Sequence, residues 1–412
     1  MSRLTRPLLF ASFVATLLLA GCQGCSRDDG PLRVATINVE DVRTDDVSRT
    51  DHPRLALLAA QIQAMRPDIL LMNEIAYDGP GAPYYVEGDE AGQNANRFVE
   101  NYLSVSQGRG LDPIRYKTFM APSNTGWPSG FDLNRNGERV VEWFTPPSAQ
   151  ADGSPAAQTP EGRAYGDDSW GFGTFPGQYG MALFVREDLE ILTDRVRTFQ
   201  YFGWAMMPDA LAPVDSATGE PFYAPEVWER FPLSSKSHWD VPVRVSDDLV
   251  LHVLASHPTP PGFDGAEQRN KRRNHDEIRF WNGYIEGATW IRDDQGGQGG
   301  LAPDASFVIL GDLNADPDEG NAINNPMGTW LLSHPRVNGS FVPTADEAGV
   351  QAFPDLDPDD TARWRLRVDY VLPSIDLPVL GGQVVRPADP ATPVASDHFP
   401  VWLDLALPGS KR

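Results

Sequence analysis

Asp312 and Asn314 stand two residues apart where an apolar run, Phe307-Val308-Ile309-Leu310, gives way through Gly311 to Ala315-Asp316-Pro317. The run predicts a buried strand, and Gly311 lets the backbone turn tightly after it. In an extended segment, side chains two apart point the same way. A carboxylate and an amide oxygen are then presented together at a strand end. That pairing suits a hard cation or a phosphoryl group, although Asp, Asn and Pro are also ordinary turn formers. The same placement recurs along the chain. Residues 32–37 alternate as a strand and deliver Asn38, and residues 69–72 deliver Glu74. Residues 249–256 deliver His257, where Pro258, Pro260 and Pro261 bar continuation. Asp369 lies in the strand-like run 367–372. Asp397 and His398 stand at the entry to the last strand.

The elements that position these residues are legible in part. Asp51 and Pro53 mark a helix start, and Leu55, Leu58, Ala59, Ile62 and Met65 recur at helical spacing. Arg66-Pro67-Asp68 ends that helix. The resulting strand–helix–strand unit brings Asn38 and Glu74 to neighbouring strand ends. Strands are also predicted at 179–185 and 196–202. At 236–241 the alternation reads as a half-exposed strand, with His238 packed or at the surface. His252, in mid-strand, reads as structural. Ile278, Trp281, Tyr284 and Ile285 fit a helix packed on a sheet.

Residues 79–178 have a different texture, dense in glycine, proline and asparagine, with one predicted helix over 94–105. Such a length without periodicity marks a lid, a substrate platform or a partly mobile insertion. A second loop-like insertion spans about 203–235. Asp132-Leu133-Asn134-Arg135-Asn136-Gly137 begins like a calcium loop. Trp143 stands where the twelfth-position glutamate is required, so the segment reads as an asparagine–glycine turn. Arg269, Lys271, Arg272 and Arg273, followed by Asn274 and His275, form a basic run after His257. The run is either a phosphate clamp, with Arg272, Arg273 and Asn274 as its members, or a solvated helix start.

With 412 residues and a net charge of -23, the chain's global field repels polyanions. This argues against a protein that coats nucleic acid by long-range attraction. It leaves open a hydrolase that grips phosphate through bound metal and a local basic patch. The two cysteines, Cys22 and Cys25, both lie near the start, so the folded body holds no disulfide framework or cysteine zinc site. Arg3 and Arg6 precede an apolar run over 8–20 that ends in Leu19-Ala20-Gly21-Cys22. This resembles a bacterial lipoprotein signal, which implies removal of residues 1–21, lipidation of Cys22 and a tether over 22–30. The protein is then expected outside the cytoplasm, held to a membrane by lipid.

Gly311-Asp312-Leu313-Asn314, Asp369-Tyr370-Val371 and Ser396-Asp397-His398-Phe399-Pro400-Val401 occur in order with Asn38, Glu74 and His257. The set resembles the endonuclease/exonuclease/phosphatase superfamily over most of residues 32–408. The resemblance implies an α/β (α+β) fold over about 31–408, a four-layer α/β/β/α sandwich of two mixed β-sheets flanked by helices. It implies a hydrolase of phosphate esters that uses Mg²⁺, or Mn²⁺ or Ca²⁺. Position by position, it makes Glu74 the principal metal ligand with Asn38 and Asp397 nearby. Asp312 and Asn314 hold or protonate groups at the phosphate. His398 becomes the general base, oriented by Asp369, and His257 serves the phosphoryl oxygens. The chemistry is coherent: histidine titrates near neutral pH and can take a proton from water, and a carboxylate fixes its tautomer. Nucleic acids, lipid head groups and small phosphate esters all remain open as substrates, and no protein partner is implied. The competing expectation is a non-catalytic surface binding module on the same scaffold.

Overall fold

The computed structural model describes residues 30–407, so the leader, Cys22 and Cys25 lie outside the described residues. In chain order the strands are β1 (Leu32–Val42), β2 (Ile69–Ile75), β3 (Tyr116–Phe119), β4 (Met181–Arg186), β5 (Glu190–Ile191), β6 (Arg197–Thr198), β7 (His238–Arg244), β8 (Val250–Ser256), β9 (Ser306–Asp312), β10 (Asp369–Pro373), β11 (Val379–Val384) and β12 (Val401–Leu405). One sheet runs β11-β12-β1-β2-β4-β3. The other runs β10-β9-β8-β7-β5, with β6 beside β7. Both sheets are mixed. Each is built around one parallel pair, β1 with β2 and β8 with β9, and the other pairings are antiparallel. The helix Pro53–Met65 joins the first parallel pair and the helix Arg269–Ile285 joins the second.

Alternation along the strands sorts the apolar side chains into layers. Val34, Leu71, Leu183, Val241, Val253, Val308, Leu310 and Leu403 share one core cluster drawn from both sheets. Their neighbours point outward. Ile37, Leu70 and Met72 meet Leu55, Leu58 and Ile62 of the first helix. Leu254, Phe307 and Ile309 meet Ile278, Trp281 and Tyr284 of the second. These layers make the α/β/β/α sandwich. Fully burying one such aliphatic side chain is worth about 1.5–3 kcal/mol, so the packing of the two sheets holds their ends in a fixed relation.

Local signals fared unevenly. Pro53 opens the first helix, but the cap is His52 rather than Asp51. Its Nδ1 accepts the Leu55 N–H, and the Asp46 carboxylate lies 3.2 Å from its Nε2. The helix ends at Arg66 in the left-handed region. The predicted helix over 94–105 is an α-helical turn, Asn94–Phe98, continued by a π-helix, Val99–Leu103. The strand predicted over 196–202 shrinks to β6, because Gln200 and Tyr201 give their N–H groups to the Asp294 carboxylate instead of a neighbouring strand. The range expected to be an insertion contains β3, which pairs with β4 at the edge of the first sheet. Strand β7 is buried on both faces, not half exposed, because the second helix covers its outer side, with Phe280 and Trp281 against His238 and the Tyr284 hydroxyl donating to Asp240.

His238 sits in that buried strand. It packs on Phe280 and Trp281, and its Nε2 lies 2.9 Å from the Glu277 carbonyl oxygen. Burial drives its pKa down to about 4, from 6.5. The unfolded imidazole therefore takes up a proton at a higher pH than the folded one. Stability contributed by neutral His238 is intact above about pH 6.5 and is lost as pH falls toward 4. Urea unfolding followed across this window should show stability falling with pH. The His238→Phe variant should lose about one proton's share of that slope, ~1.4 kcal/mol per pH unit.

Candidate active site

The ends of β1, β2, β9 and β10 meet at one end of the sandwich. Asn38, opposite Asn73, is the last regularly paired residue before the register of β1 and β2 shifts on the way to Val42. Its Nδ2 donates to Glu74 Oε1 at 2.9 Å and to Asp312 Oδ2 at 3.0 Å, and its Oδ1 accepts the Glu40 N–H. Glu74 Oε2 accepts the Asp41 N–H at 3.2 Å. Glu40, Asp41 and Glu74 all hold positive φ, at 51, 56 and 70°. Strained backbone of this kind persists only where its surroundings hold it in place. Asp312 ends β9 directly opposite Asp369 of β10. Like charges so placed repel, and His398 sits between them electrically: its Nδ1 lies 2.8 Å from Asp369 Oδ2 and its Nε2 3.8 Å from Asp312 Oδ2. His257 Nε2 is 3.5 Å from Asp312 Oδ2 and 3.9 Å from Glu74 Oε1.

Two local expectations are corrected. The chain does not turn at Gly311, which stays in β9. A Cβ there would lie 1.9 Å from the Ser256 carbonyl oxygen of β8, so glycine serves close backbone approach. Asn314 does not share an extended face with Asp312. It adopts φ 53°, gives its N–H to Asp312 Oδ1, and ties its Nδ2 to the Pro258 carbonyl oxygen at 3.1 Å. It therefore fastens the loop after β9 to the loop after His257.

Burial without sufficient counter-charge sets the electrostatics. It raises the Glu74 pKa, and burial with the facing Asp369 carries Asp312 up to about 7. Glu40 also rises to about 7, through burial and Asp397. Burial alone would lower His398, but Asp369 and Asp312 overcome it and raise the imidazole to about 10. Burial holds His257 well below its ordinary value, helped by Lys236 and His398. One ligand atom each from Glu74, His257 and Asp312 lies within 4.8 Å of the others, as is true of Asp312, Asp369 and His398. Half-buried Asp397 lies to the side, acting electrostatically on Glu40 and Glu74. Crowded carboxylates that resist ionisation beside an amide are a donor set that a hard divalent cation relieves, so these residues fit such an ion.

The basic run belongs to the framework. Buried Arg273 spends its guanidinium on three carbonyl oxygens: Leu233 at 2.8 Å, Trp170 at 2.7 Å and Pro232 at 3.0 Å. Asn274 Nδ2 donates to the Thr259 and Leu313 carbonyl oxygens, bracing the loops that follow His257 and Asp312. Arg272 reaches the Ala212 carbonyl oxygen. Arg273 and the Asn274 amide are thus committed to carbonyl oxygens, which supports a framework role for these two over a phosphate clamp. Two other residues enter the site without a sequence signal. Lys236 is buried where its charge faces Glu277, Glu74 and Asp312. Trp364 stands edge-on to the His398 ring at 4.8 Å. A lone lysine before a strand and a lone tryptophan in a loop have no pattern to betray them.

The sequence profile of the Endonuclease/Exonuclease/phosphatase family matches residues 35–398. No curated protein matches the chain. Among solved structures, it resembles an endonuclease/exonuclease/phosphatase from Beutenbergia cavernae DSM 12333 at 20% identity and a TM-score of 0.48, over 92% of this chain and 72% of that one. The human Nocturnin catalytic domain with bound sulfate aligns at 13% identity and a TM-score of 0.43, over 91% and 94%. A mannosyl-6-phosphatase from Bacteroides thetaiotaomicron VPI-5482 aligns at 12% and 0.41, over 91% and 100%.

Arg273 distinguishes framework from clamp experimentally. Arg273→Ala strands buried carbonyls and should cost about 3 kcal/mol in denaturant unfolding. A clamp would leave stability intact and raise KM alone.

Proposed function

Because the chain belongs to the endonuclease/exonuclease/phosphatase family, whose members hydrolyse phosphate esters with a divalent cation, we propose that it is a metal-dependent phosphoesterase working outside the cytoplasm. The observation that carries this reading is the His398–Asp369 pair, at 2.8 Å, with the free face of the imidazole turned toward Asp312. Asp369 accepts the Nδ1 proton and leaves Nε2 as the acceptor. By themselves, Asp369 and Asp312 hold the imidazole protonated, with a pKa of about 10. Once a divalent cation on the neighbouring carboxylates offsets that pull, Nε2 is free to take a proton from the attacking water, with Asp369 steadying the imidazolium that forms. Asp312, whose carboxyl titrates near neutrality, positions that water or passes a proton to the phosphate. His257, kept neutral by burial, offers Nε2 to a phosphoryl oxygen. Asn314 holds the Asp312 loop in place.

Glu74 would hold Mg²⁺, Mn²⁺ or Ca²⁺, with Asn38 and Asp397 nearby. The ion supplies positive charge against the phosphoryl oxygens as negative charge builds there. Lys236 faces the same carboxylates, although burial lowers its pKa and so weakens its hold on the proton. Cys22 is proposed as the lipid attachment point. Nucleic acids, lipid head groups and small esters form the substrate panel.

His398→Ala should lower kcat by roughly 10²- to 10⁴-fold on any phosphate ester the wild type cleaves, with Asp369→Asn in the same direction. Unchanged turnover in His398→Ala removes it as the base. Chelation should abolish turnover, and added Mg²⁺ or Mn²⁺ should restore it. For the anchor, Cys22→Ser should move the protein from the membrane fraction to the soluble fraction. Retention of that variant on the membrane would sink the lipoprotein reading.

A further inference from the structure

Residues of the two insertions, with Tyr201 between them in the chain, line an open cleft of about 320 Å³. Trp127 and Trp170 line it on adjoining loop segments, where the Trp170 N–H donates to the Trp127 carbonyl oxygen at 2.9 Å. Tyr201 stands on another wall with 71% of its surface exposed. Pro128 and Pro232 supply flat apolar surface. Arg230 reaches the rim. Its guanidinium lies over the Phe131 ring at 5.9 Å and makes no ion pair among the described residues.

The cleft is braced and is linked to the chemistry. Segments 202–204 and 231–233 are paired by backbone hydrogen bonds, and Arg273 ties Trp170, Pro232 and Leu233 to the second helix. Asn124, at the base of the cleft, gives its N–H to the Lys236 carbonyl oxygen at 2.9 Å, and the Lys236 side chain faces Glu74 and Asp312. Lys236 thus links the base of the cleft to the cluster.

Its lining chooses among ligands. A sugar ring needs acceptors for its hydroxyl groups. The cleft has no carboxylate, and its lining side chains offer as acceptors only the Asn124 Oδ1 and the Tyr201 hydroxyl. Aromatic faces beside an unpaired guanidinium suit a flat ring carrying an anionic group. The volume is at the low end for a small-molecule site, and the net charge of -23 repels a long polyanion. Resting on the phosphoesterase reading, we propose that this cleft is a nucleobase subsite. Trp127, Trp170 and Tyr201 flank the base of a small nucleotide or a strand end, and Arg230 meets an outer phosphate.

Binding can be measured without turnover, by calorimetry on the full chain with AMP, adenosine and ribose 5-phosphate. AMP should bind at least about tenfold more tightly than ribose 5-phosphate. Tyr201→Ala should weaken AMP and adenosine by about tenfold, and Tyr201→Phe should restore them. Arg230→Ala should weaken AMP more than adenosine. Both alanine positions are exposed, so folding is not at stake. In turnover, Tyr201→Ala should raise KM for a nucleotide ester about tenfold more than for glycerol phosphate. Equal affinity for AMP and ribose 5-phosphate, or AMP affinity unmoved in both alanine variants, overturns the subsite. If AMP follows the expected pattern while no phosphate ester is cleaved, the subsite stands and the phosphoesterase reading fails. If glycerol phosphate is cleaved and AMP does not bind, the reverse holds.

Discussion

One amide joins the two halves of this protein's chemistry. Asn38 donates to Glu74 on its own sheet and to Asp312 on the other, so a side chain of β1 fixes the spacing of two carboxylates from separate layers. A second polar link lies beside it, where the Asp312 N–H donates to Asn73 Oδ1. Such bonds form only if the sheets stack in one register. That register is set by the apolar cluster between them. The cost is concentrated where it is used. Asp312 and Asp369 face each other, Glu74 is pushed away from its ionised form, and three residues nearby hold positive φ. The crowding leaves a strong demand for positive charge at one point, which His398, Lys236 and an incoming cation share.

Two buried arginines serve the two halves in parallel. Arg54, near the start of the first outer helix, donates to the carbonyl oxygens of Val39, Gly153 and Ala395. It thereby links the end of β1, the first insertion and the segment leading to Asp397. Arg273, near the start of the second, links both insertions. A planar fork with five donors suits this task, because one residue satisfies carbonyls from several irregular segments at once. In a chain of net charge -23, these cations are enclosed where the acidic surface cannot recruit them.

The first insertion is ordered by the same economy of space. At Gly126, Gly171 and Gly177, an added Cβ would lie 1.8 Å from the Phe175 carbonyl oxygen, 1.9 Å from that of Ser235 and 2.1 Å from that of Tyr77. Glycine here permits backbones to touch. The segment is thus wedged between Tyr77, just beyond β2, and Ser235, just before β7. A composition that reads as loose in one dimension is a packing requirement in three.

Periodicity and punctuation in the sequence determined most of the elements, the first strand–helix–strand unit and the positions of Glu74, His257, Asp312, Asp369 and His398 at or beside strand ends, whereas β1 runs on past Asn38 to Val42. These are local matters, governed by alternation, helical spacing and proline. The family resemblance supplied the layering and the roles. Only the tertiary structure decided what depends on distant neighbours. It made Arg273 a brace instead of a clamp, buried both faces of β7, turned Asn314 away from Asp312, and brought Lys236 and Trp364 to the site. In each case the deciding partner lies tens to hundreds of residues away in the chain, and no local pattern encodes which carbonyl or carboxylate a side chain will meet.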